Sequence, residues 1–216
     1  MTLSLKDIAQ DCLALSPPFS VVRDVFGYSA PRRTMSIKRQ LELIKGPCLK
    51  GINLILVGSQ NFTAADFNEI EYAIQFMRDI YSQVNLGIRK ISKWYSVPGS
   101  ASLSSSDAFD LADEYKVDND FLDLFIVRTM TDADGVSSID GPCDKDTKDG
   151  ECVVSLNGNP NNSGNTFAHE IGHFLGLGHS GDPNNFITSA SNANTAITNN
   201  QGNTMKKHCF VDKGCY

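Results

Sequence analysis

The chain has 216 residues, of which 41% are hydrophobic and 20% charged, which suits one domain with a sizeable core. Its net charge of -6 and its pI of about 5.1 argue against nucleic acid or an anionic membrane as the main partner. No apolar run approaches the ~20 residues that span a bilayer. Composition and charge therefore indicate a globular protein that binds neither nucleic acid nor membrane.

Residues 1–50 predict helices that proline interrupts. The segment LSLKDIAQDCLAL has apolar residues at near-helical spacing and is stopped by Pro17 and Pro18, and SIKRQLELIKG predicts a second helix. The start lacks a basic region and a long apolar region, so it does not predict a signal peptide. We expect residues 1–50 to be a helical extension or a pro-segment of a domain that covers residues 51–216.

From residue 51 the pattern alternates between strands and helices. INLILVGS is a short apolar run and predicts a buried strand. The helix after it has apolar residues at helical spacing, and Thr63 with Asp66 predicts its N-terminal cap. A short helix is expected in AFDLADEYK. Further strands are predicted over 88–97, 121–130 and 151–156.

The region after residue 156 predicts little regular structure apart from one helix. NGNPNNSGN has no apolar residue and predicts a loop, so the next helix should begin near Thr166. Beyond Gly181 the chain is rich in Asn, Ser, Thr and Ala and again predicts mainly loop. This order suggests an upper subdomain of residues 51–178 and a lower one of residues 179–216, with a ligand cleft between them.

Three of the four histidines lie within eleven positions. His169 and His173 are four apart, so on a helix they lie on one face and can bind one ion together. His179 would point away if the helix continued. The chain must therefore leave the helix between them, and Gly176 can adopt the positive φ that ends a helix. Three imidazoles without a fourth protein ligand predict an open, catalytic zinc site.

Glu170 lies next to the first of these histidines and can reach a water at the metal. Together the residues read His169-Glu170-x-x-His173-x-x-Gly176-x-x-His179. In this pattern the chain resembles the metzincin clan of zinc endopeptidases. The resemblance is specific over the motif, and strand and helix order supports it from about residue 50 onward.

The metzincin resemblance implies a fold, a reaction and further site residues. The implied fold is α+β, with a twisted, mostly parallel sheet, an antiparallel edge strand, a backing helix, an active-site helix and an irregular C-terminal subdomain. Glu170 would act as general base for peptide hydrolysis with one Zn²⁺. Met205 would form the methionine turn below the zinc. An extended substrate would pair with an edge strand, for which the candidates are Val153, Val154, Ser155 and Leu156.

The family within the clan stays open. Ser180, directly after the third histidine, resembles the matrixins, but their cysteine-switch motif is absent and the C-terminal cysteines resemble the adamalysin or pappalysin side. Astacins and serralysins carry a zinc-binding tyrosine where this chain has Lys207. His208 could assist near the zinc, although a structural role is favoured.

Six cysteines favour disulfides and thus a secreted or otherwise extracytoplasmic protein. Short loops suggest two of the pairs, but many connectivities are open, and six reduced thiols are the alternative. The segment DKDTKDG at 144–150 has some character of a calcium loop, although a solvated acidic loop is favoured. The expected pairs are Cys143–Cys152, Cys209–Cys215 and Cys12–Cys48.

The leading hypothesis is a monomeric zinc endopeptidase with a protein or peptide substrate. A zinc hydrolase of a non-peptide amide could use the same site. A catalytically silent, zinc-containing binding module is a third possibility, but it would not need a carboxylate beside the first ligand. In a pro-segment, Cys12 or Cys48 could cap the zinc.

Overall fold

A computed structural model describes residues 46–146, 152–190 and 193–213 of the chain, so the predicted N-terminal helices lie outside the described residues. In chain order the elements are β1 (Cys48–Leu49), β2 (Ile52–Val57), a 3-10 turn (Ser59–Asn61), α1 (Ala64–Ser82), β3 (Gly87–Ile88), β4 (Ile91–Val97), β5 (Ser102–Leu103), α2 (Ser105–Glu114), β6 (Leu122–Val127), β7 (Thr129–Met130), β8 (Gly135–Ser137), β9 (Cys152–Ser155), α3 (Pro160–Phe174), α4 (Asn199–Met205) and β10 (Val211–Asp212).

The central sheet has five strands in the order β4-β2-β6-β9-β8. Neighbours among the first four strands are parallel, and β8 is antiparallel to β9. Helices cover both faces. This arrangement confirms the expected α+β class with a mostly parallel sheet and an antiparallel edge strand.

The edge strand is not the one that the sequence suggested. Strand β9 carries Val153, Val154 and Ser155, and Leu156 follows it, but β9 lies between β6 and β8. The antiparallel edge of the described sheet is β8. The prediction was wrong because β9 is apolar, as a strand covered on both sides is, whereas β8 is a three-residue strand within the polar stretch TDADGVSSID.

Both faces of the sheet are buried. In β2, Leu54 and Leu56 join the core beneath α1 and α3, whereas Ile55 and Val57 join the core beneath α2. Successive strand residues point to opposite faces, so a strand covered on both sides must be apolar throughout. The run INLILV meets this requirement and places the active-site helix on one defined face.

Helix α1 backs the histidine-bearing helix α3. The predicted cap is confirmed, because Thr63 and Asp66 form a reciprocal capping box at its start. A Cβ at Gly164 would lie 2.5 Å from Cβ of Phe76, so only glycine allows the two helices to approach this closely. The Tyr81 hydroxyl donates to the Ala168 carbonyl at 2.7 Å. These contacts fix α3 along its length.

Helix α3 begins earlier than the sequence suggested. It starts at Pro160, and the Asn159 side chain caps it by accepting from the Asn161 N–H. Proline suits the first helical position because its missing N–H has no partner there. The loop predicted over residues 157–165 was therefore wrong beyond Asn159. The first turn has no apolar residue, and its packing against α1 holds it in helical form.

The C-terminal part has mainly irregular structure, as expected, together with α4 and β10. Strand β10 pairs with β1, and β1 pairs with β3, so the chain's last described strand is tied to the start of the domain. None of the helices in the described ranges combines the length and apolarity that a membrane crossing requires.

Candidate functional site

Helix α3 presents His169 and His173 one turn apart and ends just beyond them. Gly176 follows with a φ of 96°, and its N–H donates to the His173 carbonyl at 2.8 Å. A side chain at this φ would be strained, so glycine is required. The turn brings His179 back toward the two helical histidines, as the spacing suggested.

The three imidazoles converge on one point. Nε2 of His173 lies 2.9 Å from Nε2 of His169 and 3.2 Å from Nε2 of His179, and the remaining pair of Nε2 atoms is 3.2 Å apart. Tetrahedral zinc with bonds of ~2.0 Å sets its nitrogen ligands ~3.3 Å apart. Within the described residues, His169, His173 and His179 form a group of three side chains that could hold a metal ion. The donor set and spacing fit zinc.

Backbone carbonyls orient two of the rings. Nδ1 of His169 lies 3.3 Å from the Phe186 carbonyl oxygen, and Nδ1 of His173 lies 2.7 Å from the Leu177 carbonyl oxygen. Each carbonyl can only accept, so it favours the proton on Nδ1 and leaves the Nε2 lone pair for a metal. Burial lowers the pKa of His169 to about 4, and the neighbouring His173 contributes the next largest part of this shift. Burial also lowers the pKa of His173.

Glu170 is buried between α3 and the edge strand β8. A Cβ at Gly135 would lie 2.6 Å from Cγ of Glu170, so the strand can approach the carboxylate only because residue 135 is glycine. Burial raises the pKa of Glu170 to about 8, and the negative charge of Asp134 contributes a smaller part of this shift. A bound dication would lower this pKa, because it favours the carboxylate. A buried carboxylate thus lies on the same helix as two of the three clustered histidines.

An open cleft of about 460 Å³ runs over the histidines. The edge strand and the residues next to it form one wall, with Asp134, Gly135 and Val136. The loop after the third histidine forms the other wall, with Thr188 and Ser189. The cleft therefore gives access to the histidines and to Glu170 between a strand edge and a loop.

Buried polar side chains hold α3, although the sequence pattern does not indicate this role for them. The Glu69 carboxylate accepts from the Ser163 hydroxyl and from the Gly158 N–H, so α1 anchors the start of α3. The Asn165 side-chain amide donates to the carbonyls of Phe186 and Asn194 in the loop opposite α3. The sequence around Glu69 and Asn165 has no motif that predicts a site. Their partners lie far away in the chain and are brought close only by the tertiary fold.

The loop after β8 caps the C-terminal end of α3. The N–H groups of Asp140 and Gly141 donate to the carbonyls of His173 and Phe174 at 3.0 and 2.8 Å. His208 in turn lies with Nε2 2.8 Å from the Gly141 carbonyl oxygen. The Phe210 N–H donates to Nδ1 of the same ring at 3.3 Å, so both ring nitrogens of the buried His208 contact backbone groups, which favours a structural role.

Met205 does not form the methionine turn that the resemblance implied. It is the last residue of α4, a helix that begins with a capping box between Thr198 and Gln201, and it is buried in the core. The segment that contacts the histidine helix from the C-terminal side holds Phe186 and Ile187: a Cβ at Gly172 would lie 3.0 and 3.1 Å from their side chains.

The expected cysteine pairs within the described residues are wrong. Cys143 bonds Cys209, across 66 positions, and Cys152 is a buried free thiol. The pairs Cys143–Cys152 and Cys209–Cys215 are therefore excluded. Cys152 lies in the interior strand β9, whereas the C-terminal segment passes beside Cys143. The pairing therefore depends on which segments the fold brings together and not on closeness in the sequence. Cys48 is disulfide-bonded, but its expected partner Cys12 lies outside the described residues.

The acidic segment at 144–150 is described only to residue 146. There the Lys145 ammonium donates to the Val117 carbonyl at 2.9 Å and to the Asp123 carboxylate at 3.0 Å. This part of the segment thus forms an ion pair with strand β6. Calcium binding stays a prediction.

The chain was compared with protein families, with curated proteins and with solved structures. The model of the reprolysin-like metallopeptidases of family M12B matches residues 67–180. A search of the curated proteins finds no match. Of solved structures, 66 chains match. One is metalloproteinase-II from Bacteroides fragilis, at 14% identity and a TM-score of 0.49, with 77% of this chain and 54% of that chain covered, so this chain spans about half of its length.

Proposed function

Since the chain belongs to the reprolysin-like metallopeptidases of family M12B, we propose that it is a zinc-dependent endopeptidase that cleaves extended segments of protein substrates. One observation carries this proposal: three imidazole Nε2 atoms lie 2.9 to 3.2 Å apart, and the helix that supplies two of them also carries the buried carboxylate of Glu170. Three ligands leave a coordination position for water or substrate, which a catalytic zinc site needs and a structural site does not.

The geometry supports the proposed ligand roles. His169, His173 and His179 would hold zinc through Nε2, and the carbonyls of Phe186 and Leu177 would keep two of the rings in the right tautomer. Zinc in such a site polarises a carbonyl and lowers the pKa of water to about 7.

Glu170 is the proposed general base. One of its carboxylate oxygens accepts a proton from the attacking water and later returns it to the leaving amine. The carboxylate is 6% exposed, between α3 and β8, and Gly135 leaves room for it beside the cleft.

Strand β8 is the proposed docking edge for the substrate. It pairs with β9 on one side, and its other side borders the cleft next to Glu170. An extended peptide could add to this edge through backbone hydrogen bonds, while side chains enter the cleft. This assignment replaces the interior strand β9 and its residues 153–156 as the docking edge.

The disulfide Cys143–Cys209 supports an oxidising, extracytoplasmic compartment as the place of action. The proposal also includes a protein or peptide substrate and a monomeric state. Residues 1–50 are proposed to be an extension or a pro-segment. The absence of a nucleic-acid or membrane partner also stays part of the proposal, and the net charge of -6 supports it.

The test compares wild type with Glu170→Gln on a diverse peptide library, with cleavage read by mass spectrometry and zinc content measured for each protein. We expect Glu170→Gln to retain zinc and to lose cleavage by about 100-fold to 10,000-fold. Glu114→Gln, at the exposed end of α2, is the matched control and should cleave like wild type. Zinc-loaded wild type that cuts no peptide would contradict the endopeptidase proposal.

A further inference from the structure

Helix α2 carries an apolar side chain beyond those that pack against the sheet. Ala108 and Ala112 belong to the core beneath α2, and Leu111 packs against it. Phe109 is partly exposed and lines the cleft that runs over the histidines. An aromatic ring that is partly in water leaves apolar area for a ligand to cover. Phe109 is therefore the side chain of α2 that can contact a substrate.

The cleft continues across the edge strand from one face of the sheet to the other. Glu170 lies on α3, which packs on one face, and Phe109 lies on α2, which packs on the opposite face. Both residues line the same cleft, and β8 is the edge strand of the described sheet. A peptide that lies along β8 therefore has α3 beside one of its faces and α2 beside the other.

The register between β8 and β9 shows which face each residue of β8 takes. Val136 pairs with Val153, which belongs to the core beneath α2. Gly135 pairs with Val154, which belongs to the core beneath α1 and α3. Directly paired residues share a face of the sheet. Val136 therefore points to the α2 side, and the position of Gly135 faces Glu170 on the α3 side.

The backbone of β8 can bond a further strand at its open side. The Ser155 N–H donates to the Asp134 carbonyl at 2.8 Å, so Asp134 and, by alternation, Val136 use their backbone groups toward β9. The backbone groups of Gly135 and Ser137 then face the open edge. In an antiparallel added strand, the residue opposite Val136 forms the closer, non-hydrogen-bonded kind of pair, and its side chain shares the α2 face with Val136.

A substrate side chain on the α2 face meets an apolar surface. Val136 packs against the core beneath α2, and it lines the cleft together with Phe109. An aromatic or large aliphatic side chain gains free energy by covering this apolar area. A charged side chain at the same place would lose water without an apolar gain. This surface therefore favours one class of substrate residue.

We infer that Phe109 is a specificity-determining residue, which forms an apolar surface with Val136 on the α2 side of the edge strand and selects an aromatic or large aliphatic substrate residue opposite Val136. The inference rests on the endopeptidase function and on the docking edge β8 proposed above. Phe109 contacts the substrate side chain and not the reacting atoms, because it lies across the edge strand from Glu170.

The test is a peptide library in which each position near the cut is varied in turn, with kcat/KM measured for Phe, Leu and Ala. Wild type should prefer Phe or Leu at one position close to the cut. Phe109→Ala should lower the Phe-to-Ala ratio there about tenfold, the size of a lost aromatic contact. Asp110→Ala, an exposed neighbour on α2 outside the cleft lining, is the matched control and should keep the wild-type ratio. Identical profiles of Phe109→Ala and wild type overturn the inference.

A purely structural role for Phe109 predicts a different result. In that case Phe109→Ala lowers Tm and reduces kcat/KM equally for all peptides, which overturns the inference. Phe109→Leu is a conservative second variant for the case in which Phe109→Ala does not fold. It should change the preference at the same position and at no other, and a uniform loss with this variant overturns the inference as well.

Binding can be measured apart from cleavage in zinc-loaded Glu170→Gln. A peptide with benzoylphenylalanine at the selected position should crosslink to the fragment of α2 that contains Phe109, as read by mass spectrometry. With the probe moved by one residue, the crosslink should leave α2, because neighbouring side chains of a strand point to opposite faces. Crosslinks to α2 from neither position, or equally from both, overturn the inference.

The two proposals fail in different ways. Zinc-loaded wild type that cleaves no peptide contradicts the endopeptidase function itself. Wild type that cleaves, with a profile that Phe109→Ala leaves unchanged, contradicts the role of Phe109 alone.

Discussion

Helix α3 and the loop of residues 176–198 both supply the histidine cluster, but different forces hold them. The helix buries Phe167 and Ile171 completely and continues the core between α1 and the sheet. In its described part, residues 176–190 and 193–198, the loop has few buried apolar anchors, chiefly Leu177, Phe186 and Ile187. It otherwise depends on side-chain amides, which donate to backbone carbonyls or pair with another amide.

Because of this difference, the position of the metal ligands and the shape of the cleft depend on different interactions. Apolar burial is strong and non-directional, so it fixes the helix against the sheet and tolerates polar changes nearby. A hydrogen bond contributes only about 0.5–1.5 kcal/mol net, but it is directional. The helix therefore determines where two of the three histidines stand, and the amide bonds determine where the opposite wall stands.

The largest expected effect is on the helix side. Phe167→Ala should lower the free energy of unfolding by about 3–5 kcal/mol, because it leaves a cavity in a fully buried part of the core. Denaturant unfolding of the metal-free protein measures the change without a contribution from zinc binding. A loss below 1 kcal/mol would show that α3 is not held mainly by apolar packing.

A pair of glycines tests how closely the helix side is packed. Gly135→Ala should lower kcat/KM by about 100-fold, the size of a lost general-base contribution, because its Cβ would lie 2.6 Å from Cγ of Glu170. Gly181→Ala in the loop is the control, since a Cβ there meets nothing within 4 Å, and it should stay within about twofold of wild type. Peptide cleavage at equal zinc content gives both values. Equal effects of the two substitutions would remove the contrast in packing.

On the loop side, the amide pair of Asn185 and Gln201 is the next test. The two side chains exchange hydrogen bonds, both at 3.0 Å, and Asn185 is buried. Asn185→Ala should cost about 1–3 kcal/mol of unfolding free energy, because it leaves the Gln201 amide without this partner. Asn161→Ala should cost less than about 0.5 kcal/mol, as an exposed change. Thermal and denaturant unfolding would show whether the loop depends on this pair.

Removal of zinc should affect the loop more than the helix. A chelator takes away the link between His179 and the two helical histidines, while the packing of α3 stays. Hydrogen exchange at the Ser180 N–H, which donates to the Ile187 carbonyl, should accelerate about tenfold, equal to ~1.4 kcal/mol. The Ile171 N–H within α3 should change less. Equal acceleration at both sites would mean that helix and loop open together.

Much of the fold and of the metal centre could be predicted from local pattern. The Thr63 cap, the buried strand INLILV and the four-residue histidine spacing each reflect an interaction between residues near in sequence. The errors concern longer distances. Strand β8 is too short and polar to predict, and β9 looked like an edge only because its neighbour on that side was missed.

Sequence by itself determined the chemistry of the centre, because helix geometry and one glycine turn are enough to bring His169, His173 and His179 together. Tertiary structure alone decided the Cys143–Cys209 pair, the docking edge and the bonds of Asn165. Each of these joins segments far apart in the chain, and their distance is set by how the elements pack, which no local periodicity encodes.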